Sequence, residues 1–296
     1  MRQRPLPSRA DGPPVRAAPM RRRATLAGAG VVLLSGGLWA WLRHARDDGS
    51  LARVRAAGEV RVGYSVEAPY ALIVADGSVS GESPEVARVA AARLGVRPRW
   101  IETPFERLLP ELESRRFDLV AAGLFVNPQR AARVRFTRPT LRVRAGWLTR
   151  AGNPKGLSSY EQLVRQPGLR VAALAGAVEH AALQALALPP GMLVSVPDAQ
   201  SGLAAVSSGI ADALALSLPT VRQMAARSGG RLDAVPAQGT TVHDNLVALA
   251  VHHDDIMLQA ALDTALAHYV GSAEHLAMLQ RFGLGAEDLP PADDVR

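Results

Sequence analysis

"FDLVAAGLFVNPQRAARVRFTRP", residues 117–139, runs from an apolar stretch through a glycine and an aromatic to an Asn-Pro pair and Arg130. Residues 118–123 read as a buried strand and 127–133 as the start of a helix. With Asn127 at the N-cap, Pro128 takes the first helical position, where a missing N–H costs nothing. Arg130 then falls in the first turn, where a cation opposes the helix dipole at a cost of about 0.3–1 kcal/mol. A bound anion reverses that sign. The guanidinium fork matches a carboxylate, and free N–H groups at the helix start add to it. The other reading is a surface arginine paired with an acid.

The same strand-then-helix alternation extends in both directions. Upstream, 60–64 (VRVGY) is a strand and 82–94 a helix, with Val86, Val89, Ala90 and Leu94 at helical spacing and Gly95 as its stop. Residues 99–102 read as a strand and 105–114 as a helix. Downstream, 145–154 (AGWLTRAGNP) is a strand leaving this unit, broken by Gly152, Asn153 and Pro154. A second set follows: strands at 169–174, 193–196 and 213–216, helices at 176–188, 200–208 and 218–227, closed by Gly229-Gly230. After Gly239, NLVALAVH reads as one strand. A long amphipathic helix capped by Asp254 or Asp255 follows, then a shorter one reaching Phe282.

Such alternation implies an α/β fold of parallel strands joined by right-handed crossovers. Two such units with strand-like connections on both sides imply two lobes. Ligands of these folds bind beyond the carboxyl ends of the strands. That brings residues 64–70, 123–130, 174–179 and 216–220 around one cleft.

Three aromatics of the 13 in the chain fall at that end of the strands: Tyr70, Phe105 and Phe125. Ordinary core filling accounts for each singly. Together they make an aromatic box, which attracts a cation by about 0.5–2 kcal/mol per ring when desolvated. Glu67, in the same loop as Tyr70, is either a solvated carboxylate or an acceptor for that cation's N–H groups. The ligand implied is a zwitterion, its carboxylate on Arg130 and its compact cation among the aromatics.

Charge excludes a nucleic-acid partner. Residues 1–46 hold nine Arg and one Asp, whereas the remaining 250 hold 25 basic and 26 acidic side chains, a net of −1. The basic excess belongs to a leader, with Arg21, Arg22 and Arg23 ahead of an uncharged stretch at 24–42, then Arg43 and Arg46. This is the grammar of an export signal. Arg22-Arg23 with Leu26 resembles a twin-arginine signal, with Thr25 where Phe is usual. An uncleaved anchor through residues 24–42, giving membrane contact, is the alternative. Either way residue 47 onward faces outward. There is no Cys, hence no disulfide, thiolate metal site, Cys nucleophile or lipoprotein anchor. The seven His show no metal-binding spacing and no Ser sits in a nucleophile elbow, so no metal, no cofactor and no catalytic residue is expected.

GESPEVARVAAARLG, FDLVAAG, R-x-x-x-V-R-F-T-R-P and ADALALS resemble the extracytoplasmic solute-binding proteins of polar-amino-acid ABC transporters (family 3), over about residues 51–285. SGESPEVAR, AAGLFVNPQR and AGNP are similar to its ectoine/hydroxyectoine-binding branch. The resemblance implies a two-lobed, periplasmic-binding-protein-like type II fold, each lobe a mostly parallel sheet flanked by helices, with two crossover strands. Lobe 1 would comprise 51–147 plus 243–287 and lobe 2 148–242, with a basic leader at 1–23, signal or anchor at 24–46 and a loose tail at 288–296. It implies as ligand contacts Glu67, Tyr70, Phe105, Phe125 and Arg130. Ectoine's carboxylate and cyclic amidinium match the box. Ser217 stands where amino-acid binders carry an Asp for the ligand's ammonium. Asn127 replaces the family's Thr, and Ala177 replaces the hydroxyl of a Gly-Thr turn.

The function implied is capture of an ectoine-like solute outside the cytoplasm by a monomer and delivery to a separate ABC permease, without catalysis. Two alternatives stand beside it. One is an enzyme on the same fold, a cyclohexadienyl-type dehydratase with Glu179 or Glu67 as general acid. The other is a polar amino-acid binder or membrane-anchored sensor.

Overall fold

The computed structural model describes residues 47–239 and 244–291. The leader, the export signal or anchor, and residues 292–296 lie outside the described residues. Among the described residues no helix is long and apolar enough to cross a membrane. From Asp48 onward the chain forms one compact unit of two lobes.

The first sheet grows from Glu59–Tyr64, whose Val60 and Val62 are fully buried. It pairs in parallel with Arg97–Glu102 on one side and with Leu119–Val120 on the other. The helix Glu82–Leu94 makes the crossover, burying Val86, Ala87, Ala90, Ala91 and Leu94 and ending at Gly95 in the left-handed conformation. Ala250–His252 then inserts antiparallel between Leu119–Val120 and Val134–Phe136. The second sheet runs Leu193–Val196, Val171–Leu174, Ala213–Ser217, Ala145–Arg150, Leu232–Pro236; the first three are parallel, Ala145–Arg150 runs against them, and Leu232–Pro236 pairs antiparallel with it. Both sheets are therefore mixed but mostly parallel, four strands of each sharing one direction and a single strand, Ala250–His252 or Ala145–Arg150, running against them. Between them Leu141–Val143 pairs with Asn245–Val247, the two chain passages side by side.

The segment NLVALAVH is two strands. Asn245–Val247 serves the crossover pair and Ala250–His252 the first sheet. The break falls where Ala248 N donates to Leu124 O and Leu249 N to Thr137 Oγ1. The strand Leu232–Pro236, absent from the reading of residues after Gly229-Gly230, is an edge strand. Its terminal proline lacks the donor that an interior position needs. Asp255 sits at the N-cap of Ile256–Leu266 but makes no side-chain cap. Its carboxylate is held by Arg53 and Arg115 instead. At the far end Leu289 packs on the first core and Pro290 is buried.

One apolar cluster lies within the first lobe, and another joins Phe105, Leu108, Leu112, Phe117 and Leu124 to Leu148, Leu174, Ala177, Leu214 and Leu216 of the second. The two lobes therefore share buried apolar surface next to the strand ends.

Candidate ligand-binding site

Leu119–Val120 delivers the chain to Gly123, at φ 67°. A Cβ there would lie 2.4 Å from Cγ of Tyr70, so only glycine lets the backbone pass that ring. The Gly123 N–H donates to Ser83 Oγ at 3.0 Å, and Ser83 Oγ donates to Glu82 Oε2 at 2.6 Å. Thr140 Oγ1 donates to the other Glu82 oxygen at 2.7 Å. Glu82 is fully buried, and that burial raises its pKa against these two bonds. The string GES thus fixes the end of the strand from the neighbouring helix.

Beyond Gly123, Phe125 packs edge-to-face on Tyr70 with ring centroids 6.4 Å apart. Asn127 is the N-cap: its Oδ1 accepts from Arg130 N at 2.8 Å, with Pro128 at the first helical position. That bond uses a backbone donor expected to be free for an anion, leaving the guanidinium as Arg130's contribution. Arg130 as a whole is 7% exposed. Its Nη1 donates to Phe125 O at 2.8 Å and its Nη2 to Gly176 O of the second lobe at 2.9 Å, with its Cζ 5.8 Å from the Phe105 ring centroid. Burial lowers its pKa to about 10, against the pull of Glu179, so it stays a cation at neutral pH.

The second lobe supplies two strand ends. After Val171–Leu174, Gly176 at φ 80° runs so close to Glu106 that a Cβ would sit 2.9 Å from its Cα. Ala177 is the N-cap of Val178–Ala185 and offers no side-chain cap. After Ala213–Ser217, Ser217 caps Leu218–Arg227. Its hydroxyl donates to Thr220 Oγ1 at 2.9 Å, and Thr220 Oγ1 donates to Glu67 Oε1, also at 2.9 Å. A hydroxyl chain thus crosses the cleft to the first lobe's carboxyl. Glu67 is 6% exposed, and burial pushes its pKa up to about 8, with Thr220 lowering it and the nearby charge of Glu179 raising it further.

Glu67, Phe105, Phe125, Arg130, Ala177 and Ser217 converge on one cavity with Glu179. Two residues from the sequence set do not line it. Tyr70 stands behind Gly123, its hydroxyl buried beside Ser217 but outside hydrogen-bond geometry. Asn127 is turned to its cap. The walls stand close, leaving about 10 Å³ for a water-sized sphere. Small-molecule pockets ordinarily offer roughly 300–1,000 Å³, whereas a cavity of about 530 Å³ opens beside this one, lined by Phe105, Asn127, Arg130, Gly176 and Ala177.

Two residues beside or in the cavity lie outside the set of expected ligand groups: Thr220, which bonds Glu67 from behind the wall, and Glu179, which lines it. Thr220 lies three residues past Ser217, a Ser-x-x-Thr cap spacing that a closer reading could have flagged. Glu179, considered only as an acid catalyst, is 3% exposed with Oε1 unpartnered. Its place three residues after Gly176 was the available signal.

The family described as bacterial extracellular solute-binding proteins, family 3, matches residues 60–285. A probable amino-acid ABC transporter periplasmic-binding protein of Sinorhizobium fredii is 28% identical over 252 residues, 83% of each chain. Among solved structures, EhuB in complex with hydroxyectoine superposes with a TM-score of 0.75 at 27% identity, covering 82% of this chain and 94% of that one. An ancestral amino acid-binding protein, a precursor of cyclohexadienyl dehydratase, gives 0.70 at 22% identity, covering 79% and 99%.

Proposed function

This chain belongs to the bacterial extracellular solute-binding proteins of family 3, and we propose that it captures a small zwitterionic compatible solute of the ectoine or hydroxyectoine type and passes it to a separate ABC permease. The observation that carries this is the meeting of Arg130 and Glu67, one buried cation and one buried carboxyl, on the wall of a cavity that Phe105 and Phe125 also line. Arg130 would take the solute's carboxylate, exchanging one of its carbonyl partners for a charged acceptor. Glu67 would take N–H groups of the cation, and the two phenyl faces its charge. Ser217 supports the preference for a ring cation: a primary ammonium needs an acid at that position, and a hydroxyl is there.

The lobes in this reading are 51–147 plus 243–287 and 148–242, hinged at the two crossovers, and the protein acts as a monomer. Export by the arginine-rich leader, or retention by it as an anchor, would hold the binding lobes outside. Calorimetry against ectoine, hydroxyectoine, proline, glycine betaine, arginine and lysine tests the ligand class, with a clear preference for the ectoines expected. Tight binding of arginine or lysine instead would refute it.

One observation favours a second reading. Burial raises Glu67 to about 8 and Glu179 to about 7, the condition for a general acid at neutral pH. A dehydratase acting on cyclohexadienyl acids would use such a group. Incubation with prephenate or arogenate decides this, since turnover would establish an enzyme and saturable ectoine binding without turnover would exclude it.

A further inference from the structure

Glu179 is a buried carboxyl with an unpartnered oxygen on the wall of the site, and the binding scheme above leaves it idle. Its surroundings give it an opposite relation to the two ends of a zwitterion. Four titratable or charged groups sense it: Arg130, whose charge favours its ionised form, Glu67, whose charge opposes it, and the hydroxyls of Tyr70 and Tyr160. Both tyrosines are buried and held well above their ordinary range, so they stay neutral. The relevant charges are thus one guanidinium and two carboxyls lining one narrow buried cavity, where low dielectric disfavours two carboxylates together at neutral pH.

A ligand carboxylate on Arg130 takes the cation that stabilises ionised Glu179, and Glu179 must then hold a proton. A ligand cation beside Glu67 favours ionised Glu67, which must then lose one. We propose that Glu179 is the proton acceptor of the ligand site, gaining the proton that Glu67 gives up when a zwitterion binds. The balance closes: one O–H bond breaks at Glu67, one forms at Glu179, and no net proton enters or leaves. A ligand bearing only a cation drives Glu67 to release its proton to solvent, and one bearing only a carboxylate drives Glu179 to take one up. The pair therefore makes the site cheapest for ligands with both charges. This rests on the zwitterion reading above, and it adds Glu179 as a specificity-determining residue.

The test is calorimetry with ectoine in two buffers of different ionisation enthalpy, on the full chain and on Glu179→Gln. The wild type is expected to exchange close to zero protons near pH 7, with affinity nearly flat from pH 6 to 8. Glu179→Gln cannot accept the proton; it is expected to release up to one, with affinity rising up to about tenfold per pH unit below the Glu67 pKa. Release of about one proton by the wild type would overturn the proposal. A second arm needs no ligand. Infrared spectra of ligand-free protein carrying ¹³C-labelled glutamate should show a protonated-carboxyl band at pH 7 that loses intensity in Glu67→Gln and not in Glu179→Gln. Absence of that band overturns the carboxyl pair whether or not ectoine binds. A band present with no ectoine binding supports the pair and refutes only the ligand assignment.

Discussion

Nη2 of Arg130 donates to the backbone carbonyl of Gly176 at 2.9 Å, so the first lobe's guanidinium is fastened to a turn of the second. The same fork would receive the solute's carboxylate. Arg130→Ala is expected to weaken solute binding by about 100-fold or more, since charge-assisted bonds contribute roughly 1.5–3 kcal/mol each. Arg130→Lys keeps the charge but loses the planar fork, and should fall between. Titration calorimetry reads both, and unchanged affinity in Arg130→Ala removes the carboxylate assignment. Phe125→Ala should weaken binding by about 0.5–2 kcal/mol.

Among the described residues, Thr220 hands a hydrogen bond from the second lobe to Glu67. Thr220→Val keeps the volume and deletes the donor. The expected result is a roughly tenfold loss of affinity, about 1.4 kcal/mol, and an upward move of the Glu67 titration. A variant with wild-type affinity and an unmoved titration would show that the hydroxyl chain is incidental.

Buried carboxyls make the ligand-free protein less stable in base than in weak acid. Glu67 and Glu179 have folded pKa values of about 8 and about 7 against an ordinary 4.5, and Glu82 is raised as well. A raised folded pKa contributes stability that is complete below 4.5 and lost as pH climbs through the folded value. The unfolding free energy should therefore decline from about pH 5 to pH 8, by up to about 1.4 kcal/mol per pH unit for each proton difference, and the melting temperature should fall with it. Thermal scans of Glu67→Gln and Glu179→Gln should each flatten part of that slope, and identical slopes in all three proteins would count against it.

Asp118 acts in the opposite direction. It accepts from Arg61 Nη2 at 2.8 Å and Arg53 Nη1 at 2.5 Å, and these partners hold its pKa below the ordinary value despite burial. Its contribution is present above 3.8 and fades as pH falls through the folded value. Asp118→Asn should cost about 1–3 kcal/mol at pH 7 and much less near pH 3, measured by urea unfolding at both. An equal cost at the two pH values would mean the ion pairs contribute little.

Gly123→Ala places a methyl group against Tyr70 at a left-handed backbone position. A cost of about 1–3 kcal/mol is expected from overpacking and strain. Because Gly123 also lines the cavity, binding should weaken beyond what the melting shift explains. A melt within 1 °C of wild type would show that the ring moves aside freely.

Much of the architecture was legible because local signals agreed. The helix Glu82–Leu94 was delimited to the residue by its apolar spacing and Gly95, and Leu193–Val196 and Leu218–Arg227 equally so. The convergence of Glu67, Phe105, Phe125, Arg130, Ala177 and Ser217 followed from a topological rule, that ligand groups gather beyond the carboxyl ends of parallel strands. What stayed hidden depends on three dimensions. NLVALAVH is uniformly apolar, and only its two partners, Leu141–Val143 and the first sheet, divide it. Tyr70 and Phe105 look alike in sequence, yet one backs the wall and the other lines it. Glu179 is buried by neighbours distant in sequence, which no periodicity in its own helix reports.

The late arrival of Ala250–His252 between Leu119–Val120 and Val134–Phe136 orders events in time. All five strands of the second sheet lie within residues 145–236, so that lobe can form while the chain is still emerging from the ribosome. The first sheet begins at Glu59 and waits for an interior member made almost 200 residues later. Until synthesis reaches His252, its two halves expose unpaired edges, and a nascent chain at that stage is most in need of a chaperone.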